Sequence, residues 1–439
     1  MKLKIRLNFD TIIDYIFVIT LILNCRIMYI YLPSLRWIEN ALLVVLVGTM
    51  IVGSFHGLRV SARKFYYAFY LCLLLLLYFA VYLVVTRTGY GAILKIAVSL
   101  VAMMFFYKTS CNRRRLLSIL QKYSTIITLI TLLSLFFWLF GSCLDIIQPT
   151  GRVYSTWGSH YVYNYYYLYF DSRSTSTIAQ MVGLSSFTRN SAIFSEIPMF
   201  AYHLMIAFGF ELFILHDSDA ELNKKNIFVL LCGILSSFST TAYVAMAVAI
   251  LLKLILSKHH DVIMKIIKLI VLPCILIVGG VIIVALAQDR LSTNSGSVRI
   301  DDFISGMKVW LDYPIFGAGY GSHEIYNYLA AERESAGNSN SISVILMYGG
   351  IWLFLLYVIP CASLIYKSIR KRKYQYIAFM ISFLISFSLT VIPFQYLTIF
   401  IFIIMQDEFK NEDSRLESTY GSGLRNVRRD SKRKIRVTI

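Results

Sequence analysis

Long apolar segments recur along the whole chain, and they restrict its fold more than any other feature of the sequence. Twelve such segments are found, at 12–32, 41–55, 65–85, 92–107, 124–147, 197–215, 226–238, 241–256, 266–287, 341–366, 374–391 and 393–405. Many approach the ~20 residues that a helix needs to cross a bilayer. Only helices satisfy their own backbone groups with runs of this length inside lipid. We therefore predict an all-α, polytopic transmembrane helical bundle of about twelve helices.

The overall composition agrees with this class. The chain is 58% hydrophobic and 15% charged, whereas a soluble domain has about 25% charged residues. The basic start of the chain raises the alternative of a cleaved signal peptide. Because no small-x-small cleavage site follows and Asp14 interrupts the first apolar run, an uncleaved first helix is the better interpretation. The seven cysteines form no CxxC pair, so neither a disulfide framework nor a metal site is predicted.

The positions of the basic residues predict the topology. If the N-terminus is cytoplasmic, 31 of the 42 lysines and arginines fall on the inner side, with clusters at 113–115 and 370–373. Because Lys and Arg resist translocation, both termini are predicted to be cytoplasmic. Residues 1–405 form the transmembrane domain, and 406–439 form a basic tail without fixed structure. The tail either binds anionic lipid or acts only as a topology determinant, so the net charge of +18 requires no nucleic acid.

Two large loops, 148–196 and 288–340, then lie on the outer side of the membrane. The first loop contains seven tyrosines and Trp157 between Tyr154 and Phe170. Their flat rings suit the C–H faces of sugars, and they equally suit the membrane–water interface. The sequence leaves both alternatives open.

The first loop ends with two charged residues, Arg189 and Glu196, at the outer mouth of the next apolar segment. A charge near lipid depth is costly unless it is paired or faces water, which makes such residues candidates for a functional site. The structural alternative is an Arg–Glu pair that closes the loop.

The second loop begins with an amphipathic stretch and continues with closely spaced glycines. Phe303, Met307, Trp310 and Leu311 share one helical face, so this stretch is predicted to lie along the membrane surface. The glycines are Gly317, Gly319 and Gly321. They predict either a turn whose N–H groups approach an anion or, by frequency, an ordinary tight turn.

Two further residues of the second loop are candidates for chemistry. Arg299 has a rigid, permanently charged guanidinium that suits bidentate contact with phosphate, and its alternative role is a surface ion pair. His323 is the only histidine of this loop. It is either structural or a catalytic group.

Several short motifs, spread over residues 187–356, together resemble a known superfamily. One is Arg189 followed by Phe194-Ser-Glu196-x-Pro198, which opens a helix after the first loop. Another is Ser297-x-Arg299 followed by Trp310-x-x-x-Pro314-x-x-Gly317-x-Gly319 in the second loop. A serine-rich turn at 236–241 and Gly349-Gly350-Ile351 complete the set. The pattern resembles the O-antigen and capsular polysaccharide repeat-unit polymerases (Wzy-like) and the related O-antigen ligases.

The resemblance implies a GT-C-like membrane glycosyltransferase in the cytoplasmic (inner) membrane that needs no cofactor, metal or nucleotide sugar. Such proteins transfer a glycan from undecaprenyl diphosphate to an acceptor hydroxyl at the outer face. The acceptor is another lipid-linked repeat unit in a polymerase and lipid A-core in a ligase. By position, Arg189 and Arg299 would bind the diphosphate, and Glu196 would orient the acceptor or act as a base. The implied partners are undecaprenyl-diphosphate-linked repeat units, membrane lipid, a flippase and a chain-length regulator.

One departure from the family pattern favours a polymerase over a ligase. The ligases have a His-Asn pair about eleven residues before the Gly-Ile, where this chain has Ser339-Asn340. Because serine is not a base near neutral pH, catalytic assistance would come from Glu196 or His323, or from electrostatic stabilisation alone. Further sugar-binding candidates are Tyr154, Trp157 and Asn340. A flippase or transporter is the less favoured alternative, since internal repeats and charges inside the spans are expected there.

Overall fold

The computed structural model describes residues 9–56, 62–176, 179–180, 183–184, 187–216, 222–257, 294–329 and 340–407. Twelve α-helices lie within these residues. They are α1 Phe9–Leu23, α2 Trp37–His56, α3 Ala62–Thr86, α4 Tyr90–Ser110, α5 Arg113–Phe137, α6 Ile197–Phe213, α7 Lys224–Ser236, α8 Thr240–Leu256, α9 Asn294–Asp312, α10 Ser341–Arg370, α11 Tyr374–Leu389 and α12 Tyr396–Gln406. A helix is found at every predicted apolar segment except 266–287, which lies outside the described residues, as does most of the predicted tail.

Five of the described helical segments are long and apolar enough to cross a membrane. They are Pro33–Phe55, Phe65–Thr86, Tyr90–Ser110, Arg113–Cys143 and Ser341–Arg370. The helices α6, α8, α11 and α12 are apolar but shorter. With its 11 residues, α12 is about 16 Å long, which is about half of a ~30 Å hydrocarbon layer. The described part of the chain is thus largely helical, with five helical segments of membrane-crossing length and several shorter apolar helices.

Two short helices form the centre of the bundle. Nearly every residue of α6 is buried, and so is α12 from Leu397 to Met405. A helix that is apolar all round belongs in the interior of a bundle. Accordingly, α6 packs against α5, α7, α8 and α11, while α12 packs against α1, α4 and α10.

Charged groups lie inside the bundle at one end of α1, α5 and α6, where the sequence analysis expected few. Asp14 is buried and accepts from Nε of Arg115 at 2.9 Å and from Nζ of Lys122 at 3.2 Å. Glu211 is also buried and accepts a 2.5 Å hydrogen bond from Ser124. Because burying a charge is costly unless it is paired and hydrogen-bonded, these contacts explain how the bundle accommodates both carboxylates.

Part of the first large loop folds into a three-stranded antiparallel sheet, which the sequence analysis did not predict. Its strands are β1 Gly151–Ser155, β2 His160–Tyr165 and β3 Tyr169–Asp171, in that order. Tyr165 and Tyr169 are buried against Phe137 of α5. The ring centroid of Phe137 lies 6.1 Å from that of Tyr165 and 6.4 Å from that of Tyr169. Burial raises the pKa of Tyr169 well above its usual value, so its hydroxyl stays neutral. These two tyrosines attach the sheet to the bundle.

A buried carboxylate holds the end of this sheet. Asp171 is fully buried, and its Oδ2 lies 3.3 Å from Nε of Arg173 and accepts a 3.4 Å hydrogen bond from Thr188. Its Oδ1 accepts from the Arg173 backbone N–H at 2.7 Å. Asp171 therefore joins β3 to the segment that leads toward α6.

The amphipathic stretch of the second loop is helix α9, as predicted. Asp302, Ser305 and Val309 are buried, whereas Phe303 and Leu311 of the predicted apolar face are exposed. The helix packs against α10 with its small and polar side. An exposed apolar face is the arrangement that a position along the membrane surface requires.

The glycine-rich turn lies against a break in α10. Gly350 has φ +59° and interrupts the helix there. A Cβ at Gly317 would lie 2.5 Å from the backbone N of Gly349, so the two chain segments touch through their backbones. Ala318 N–H donates to Met347 O at 2.8 Å, and Ile351 N–H donates to Pro314 O at 2.9 Å. Gly317 N–H also donates to a backbone carbonyl, that of Tyr313 at 3.0 Å, so this part of the turn holds the chain against α10.

Candidate functional site

The segment that follows α1 pairs with the segment that precedes α6. Arg26 has φ +49°, which turns the chain after α1. Ile27 and Phe194 form an antiparallel bridge, and Ser195 N–H donates to Arg26 O at 2.9 Å. The side chain of Arg26 is thereby placed beside Glu196, the residue before the first turn of α6.

Arg26 and Glu196 form a close ion pair next to an aromatic wall. Nη1 of Arg26 lies 2.6 Å from Oε1 of Glu196, and the two side chains are 23% and 22% exposed. The guanidinium carbon lies 5.0 Å from the ring centre of Trp157, a distance that fits a cation–π contact. Trp157 in turn lies 5.2 Å from Tyr31, centroid to centroid. Of the two alternatives for Glu196, the structure shows that it is paired, but with Arg26 and not with Arg189.

Arg26, Tyr31 and Trp157 line a cavity of about 740 Å³, called the polar cavity below, and Glu196 adjoins it through its contact with Arg26. Its walls come from the α1–α2 connection, α2, α4, the sheet region, the glycine-rich turn, α10 and the α11–α12 connection. The polar and aromatic lining residues are Asn24, Arg26, Tyr31, Glu39, Lys95, Trp157, Tyr320, Tyr348, Phe394, Gln395 and Tyr396. Residues of both large loops, Trp157 and Tyr320, thus meet at one cavity.

The cavity contains a second ion pair. Nζ of Lys95 in α4 lies 3.2 Å from Oε1 of Glu39 in α2. Among the described residues, the cavity and its immediate border therefore hold two cations, each with a carboxylate partner, and these four charges sum to zero.

The α11–α12 connection forms one side of the cavity. Residues 391–396 line it, and Pro393 O accepts a 2.7 Å hydrogen bond from Tyr357 Oη. Non-helical backbone at membrane depth is tolerated only where protein buries it or where it lines a water-filled cavity. The non-helical connection before the short α12 therefore forms part of the cavity wall.

Arg189 lies at a different place from the Arg26–Glu196 pair. Its Nε donates to Ser237 O at 3.3 Å, and its backbone N–H donates to Ser174 O at 2.9 Å. The neighbouring Asn190 is buried and donates to Ser134 and Ser236 at 3.2 and 3.1 Å. Two parts of the sequence motif, Arg189 and the serine-rich turn, are therefore in contact.

The other predicted site residues lie in known elements, but their proposed roles remain predictions. Arg299 is in the second turn of α9, and its side chain lies outside the described residues. His323 is exposed, 5.7 Å from the Tyr326 ring. Oδ1 of Asn340 caps α10 by accepting from the N–H groups of Ile342 and Ser343 at 2.7 and 3.2 Å, so a structural role accounts for it.

Tyr154 lies in β1, where its ring is 5.3 Å from that of Tyr161 in β2. Both are exposed. Among the described residues, no group of three or more histidine, cysteine or acidic side chains is arranged to hold a metal ion.

No protein-family model and no curated protein matches this chain. The resemblance to the polysaccharide polymerases therefore rests on the short motifs alone.

The sequence analysis missed Arg26 and Glu39 as site residues. Arg26 lies inside a segment that was assigned as membrane-spanning, and a charge in such a segment is by itself a reason to suspect function. The sequence therefore offered a reason to single out Arg26. Its partner Glu196 is 170 positions away, so the pair could not be found from residue spacing.

Proposed function

We propose that the protein polymerises undecaprenyl-diphosphate-linked oligosaccharide repeat units into a capsular or O-antigen polysaccharide at the outer face of the cytoplasmic membrane. The observation that supports this most is the polar cavity at which both loops meet, lined by Trp157 and by Arg26, the ion-pair partner of Glu196. A cavity of this size fits sugar residues, and it adjoins helices long enough to cross a membrane.

The proposed reaction is a glycosyl transfer. The C1–O bond between the glycan and the diphosphate breaks, and a new bond forms between C1 and the acceptor hydroxyl oxygen. Glu196 orients that hydroxyl or accepts its proton. The diphosphate leaves with the bonding electron pair, and Arg189 and Arg299 stabilise its charge by charge-assisted hydrogen bonds.

Trp157 is the best-placed aromatic residue for sugar contact, since it lines the cavity beside the ion pair. Tyr154 extends the exposed aromatic surface along the sheet. The burial of Tyr165 and Tyr169 assigns these two to packing, so sugar contact is proposed only for the aromatic residues that remain accessible.

A flippase or transporter is the second candidate, and the buried charges favour it. Asp14 and Glu211 lie inside the bundle, as charged groups of a transport path do. Both are paired near helix ends, however, and neither lines the cavity. We therefore rank transport below polymerisation.

The test is a deletion strain complemented with the wild type, Glu196→Gln or Glu324→Gln. Polymerisation predicts that deletion leaves lipid-linked single repeat units on the outer leaflet. Glu196→Gln should reproduce this defect, while Glu324→Gln, a change at a loop glutamate that accepts a hydrogen bond from Asn327 and is not paired with a cavity-lining cation, should restore long chains. Accumulation of single units on the inner leaflet would instead indicate a flippase, and polymer of normal length in the deletion strain would end the proposal.

A further inference from the structure

A second space beside the polar cavity is almost entirely apolar. It is a groove of about 520 Å³ between α3, α4, α10 and α12. Along α3 its lining extends from Leu71 to Tyr82, and along α4 from Ile93 to Met104. Each stretch corresponds to roughly 16 Å of helix. The groove is thus long and narrow, with the chemistry of a hydrocarbon site.

The groove and the polar cavity are adjacent and share part of their wall. Ile96 of α4 and Phe394 of the α11–α12 connection line both. Lys95 precedes Ile96 and points its ammonium group toward Glu39 on the cavity side. A ligand that fills both parts therefore has an anionic or polar head and a long apolar chain, joined in a single molecule.

From this adjacency we propose that the cavity and the groove, together called the joined space, bind a polyprenyl diphosphate, with its diphosphate between Arg26 and Lys95 and the first isoprenoid units in the groove. Naming polyprenyl diphosphate rests on the proposed function, whereas the head-and-chain chemistry follows from the space itself. The groove covers only part of a long chain, so the rest stays in the surrounding bilayer.

Both cations that would hold the diphosphate have carboxylate partners among the described residues, so an anion must compete with these carboxylates. Each cation now contacts a single carboxylate, at 2.6 Å for Arg26 and 3.2 Å for Lys95. A diphosphate carries more charge and more acceptor oxygens than either carboxylate, and phosphate contacts to a guanidinium are strong and bidentate. The diphosphate therefore takes the place of the carboxylates, and Glu196 is released from Arg26 when the lipid is bound.

The proposed polymerisation also needs two lipid diphosphates on the protein at once, because donor and acceptor are both lipid-linked. Arg189 contacts the α7–α8 turn and does not line the cavity. The joined space supplies a site for one of these two lipids that is separate from Arg189.

Native mass spectrometry of the purified protein with undecaprenyl diphosphate tests the head site. Lys95→Gln and Glu39→Gln break the same ion pair, but only the first removes a cation. We expect Lys95→Gln to weaken binding roughly tenfold, the loss of about one charge-assisted hydrogen bond, and Glu39→Gln to preserve or strengthen it. Equal weakening in both variants would show that the pair is only structural and would overturn the inference.

A second pair of variants tests the groove. Leu74 lines it, whereas Leu77, on the same helix, is 60% exposed and does not. Leu74→Trp should reduce binding of undecaprenyl diphosphate, while Leu77→Trp should not. If inorganic diphosphate or phosphatidylglycerol competes as well as undecaprenyl diphosphate, the site is not specific for a polyprenyl diphosphate and the inference fails.

Binding is measured here without turnover, so this inference and the proposed function fail separately. Unchanged binding in Lys95→Gln and Leu74→Trp overturns the inference even if the wild type polymerises repeat units. Normal, variant-sensitive binding without any polymerisation in cells supports the lipid site and overturns the polymerase.

Discussion

The Nη1 atom of Arg26 lies 2.6 Å from Oε1 of Glu196 and joins residues that are 170 positions apart in the chain. The contact connects the end of α1 to the start of α6 and borders the polar cavity. A change in either charge therefore affects the docking of the first loop as well as the cavity wall.

We expect Arg26→Gln and Glu196→Gln each to lower the free energy of unfolding by about 1–2 kcal/mol, since each leaves a half-buried charge without its partner. The double variant should lose less free energy of unfolding than the two single variants together, with a coupling energy of about 1 kcal/mol. Thermal unfolding of the purified protein in detergent measures this. The more exposed Lys95–Glu39 pair is the control, with an expected coupling of about 0.5 kcal/mol or less; additive effects at Arg26 and Glu196 would contradict the prediction.

Arg189→Lys and Arg299→Lys should each reduce chain extension by about tenfold or more at unchanged protein level. Lysine keeps the charge but loses the planar fork that binds phosphate bidentately. The length of surface polysaccharide on a gel is the measurement. Arg152→Lys is the matched control, because Arg152 lies in β1 with its guanidinium 4.4 Å from the Tyr163 ring centre. Long polysaccharide from both Lys variants would exclude the diphosphate clamp.

Gly317→Ala and Gly350→Ala should each destabilise the protein by about 1–3 kcal/mol, because both glycines have positive φ and a Cβ would meet backbone atoms of the other segment. Gly48→Ala in α2 is the control. Nothing lies within 4 Å of its Cβ position, so alanine should stabilise that helix by about 0.5–1 kcal/mol. Unfolding temperatures that rank Gly48→Ala lowest would contradict the close packing of the turn on α10.

Asp171→Ala should destabilise the sheet by about 1–3 kcal/mol, since it removes the buried acceptor of the Arg173 backbone N–H and of Thr188. Limited proteolysis is the measurement, and we expect faster cleavage within 148–176. Asp145, whose side chain is 64% exposed and lies 3.7 Å from Arg173, provides the comparison: Asp145→Ala should change the rate little. Equal cleavage rates would mean that Asp171 does not hold the sheet.

The predicted topology can be examined with single cysteines in a cysteine-free background. Tyr161→Cys in the sheet should react with a membrane-impermeant maleimide in intact cells, whereas Arg372→Cys in the basic turn before α11 should react only after lysis. The reverse pattern would invert the topology and place the polar cavity on the cytoplasmic side.

The apolar pattern predicted the helices well because each run is long and the bilayer requirement on the backbone is strict. Eleven predicted segments contain helices in the structure. The sheet at 151–171 was not predicted because Tyr-rich segments serve equally as membrane-interface anchors. The packing of Tyr165 and Tyr169 on Phe137 decides between a folded sheet and an interface anchor, and this contact joins parts of the chain that are distant in sequence.

The candidate site was predicted only in part for a similar reason. Glu196 and Trp157 were identified, since charge and aromatic character are visible in the sequence. Their partner Arg26 was not, because ion pairing depends on how the segments after α1 and before α6 come together. The glycines were recognised as a turn, but only the structure shows the break in α10 that they contact.

The shortness of α12 affects how far a lipid-anchored substrate must move. If Gln406 lies at one surface of a bilayer, eleven residues rise about 16 Å, and the connection at 390–395 lies near the middle of the hydrocarbon layer. The head group of a lipid that enters the cavity would therefore move toward the middle of the bilayer, where its own hydrocarbon chain lies. Lifting the chain out of lipid would cost about 0.8 kcal/mol for each methylene exposed to water, and a cavity at this depth avoids that cost.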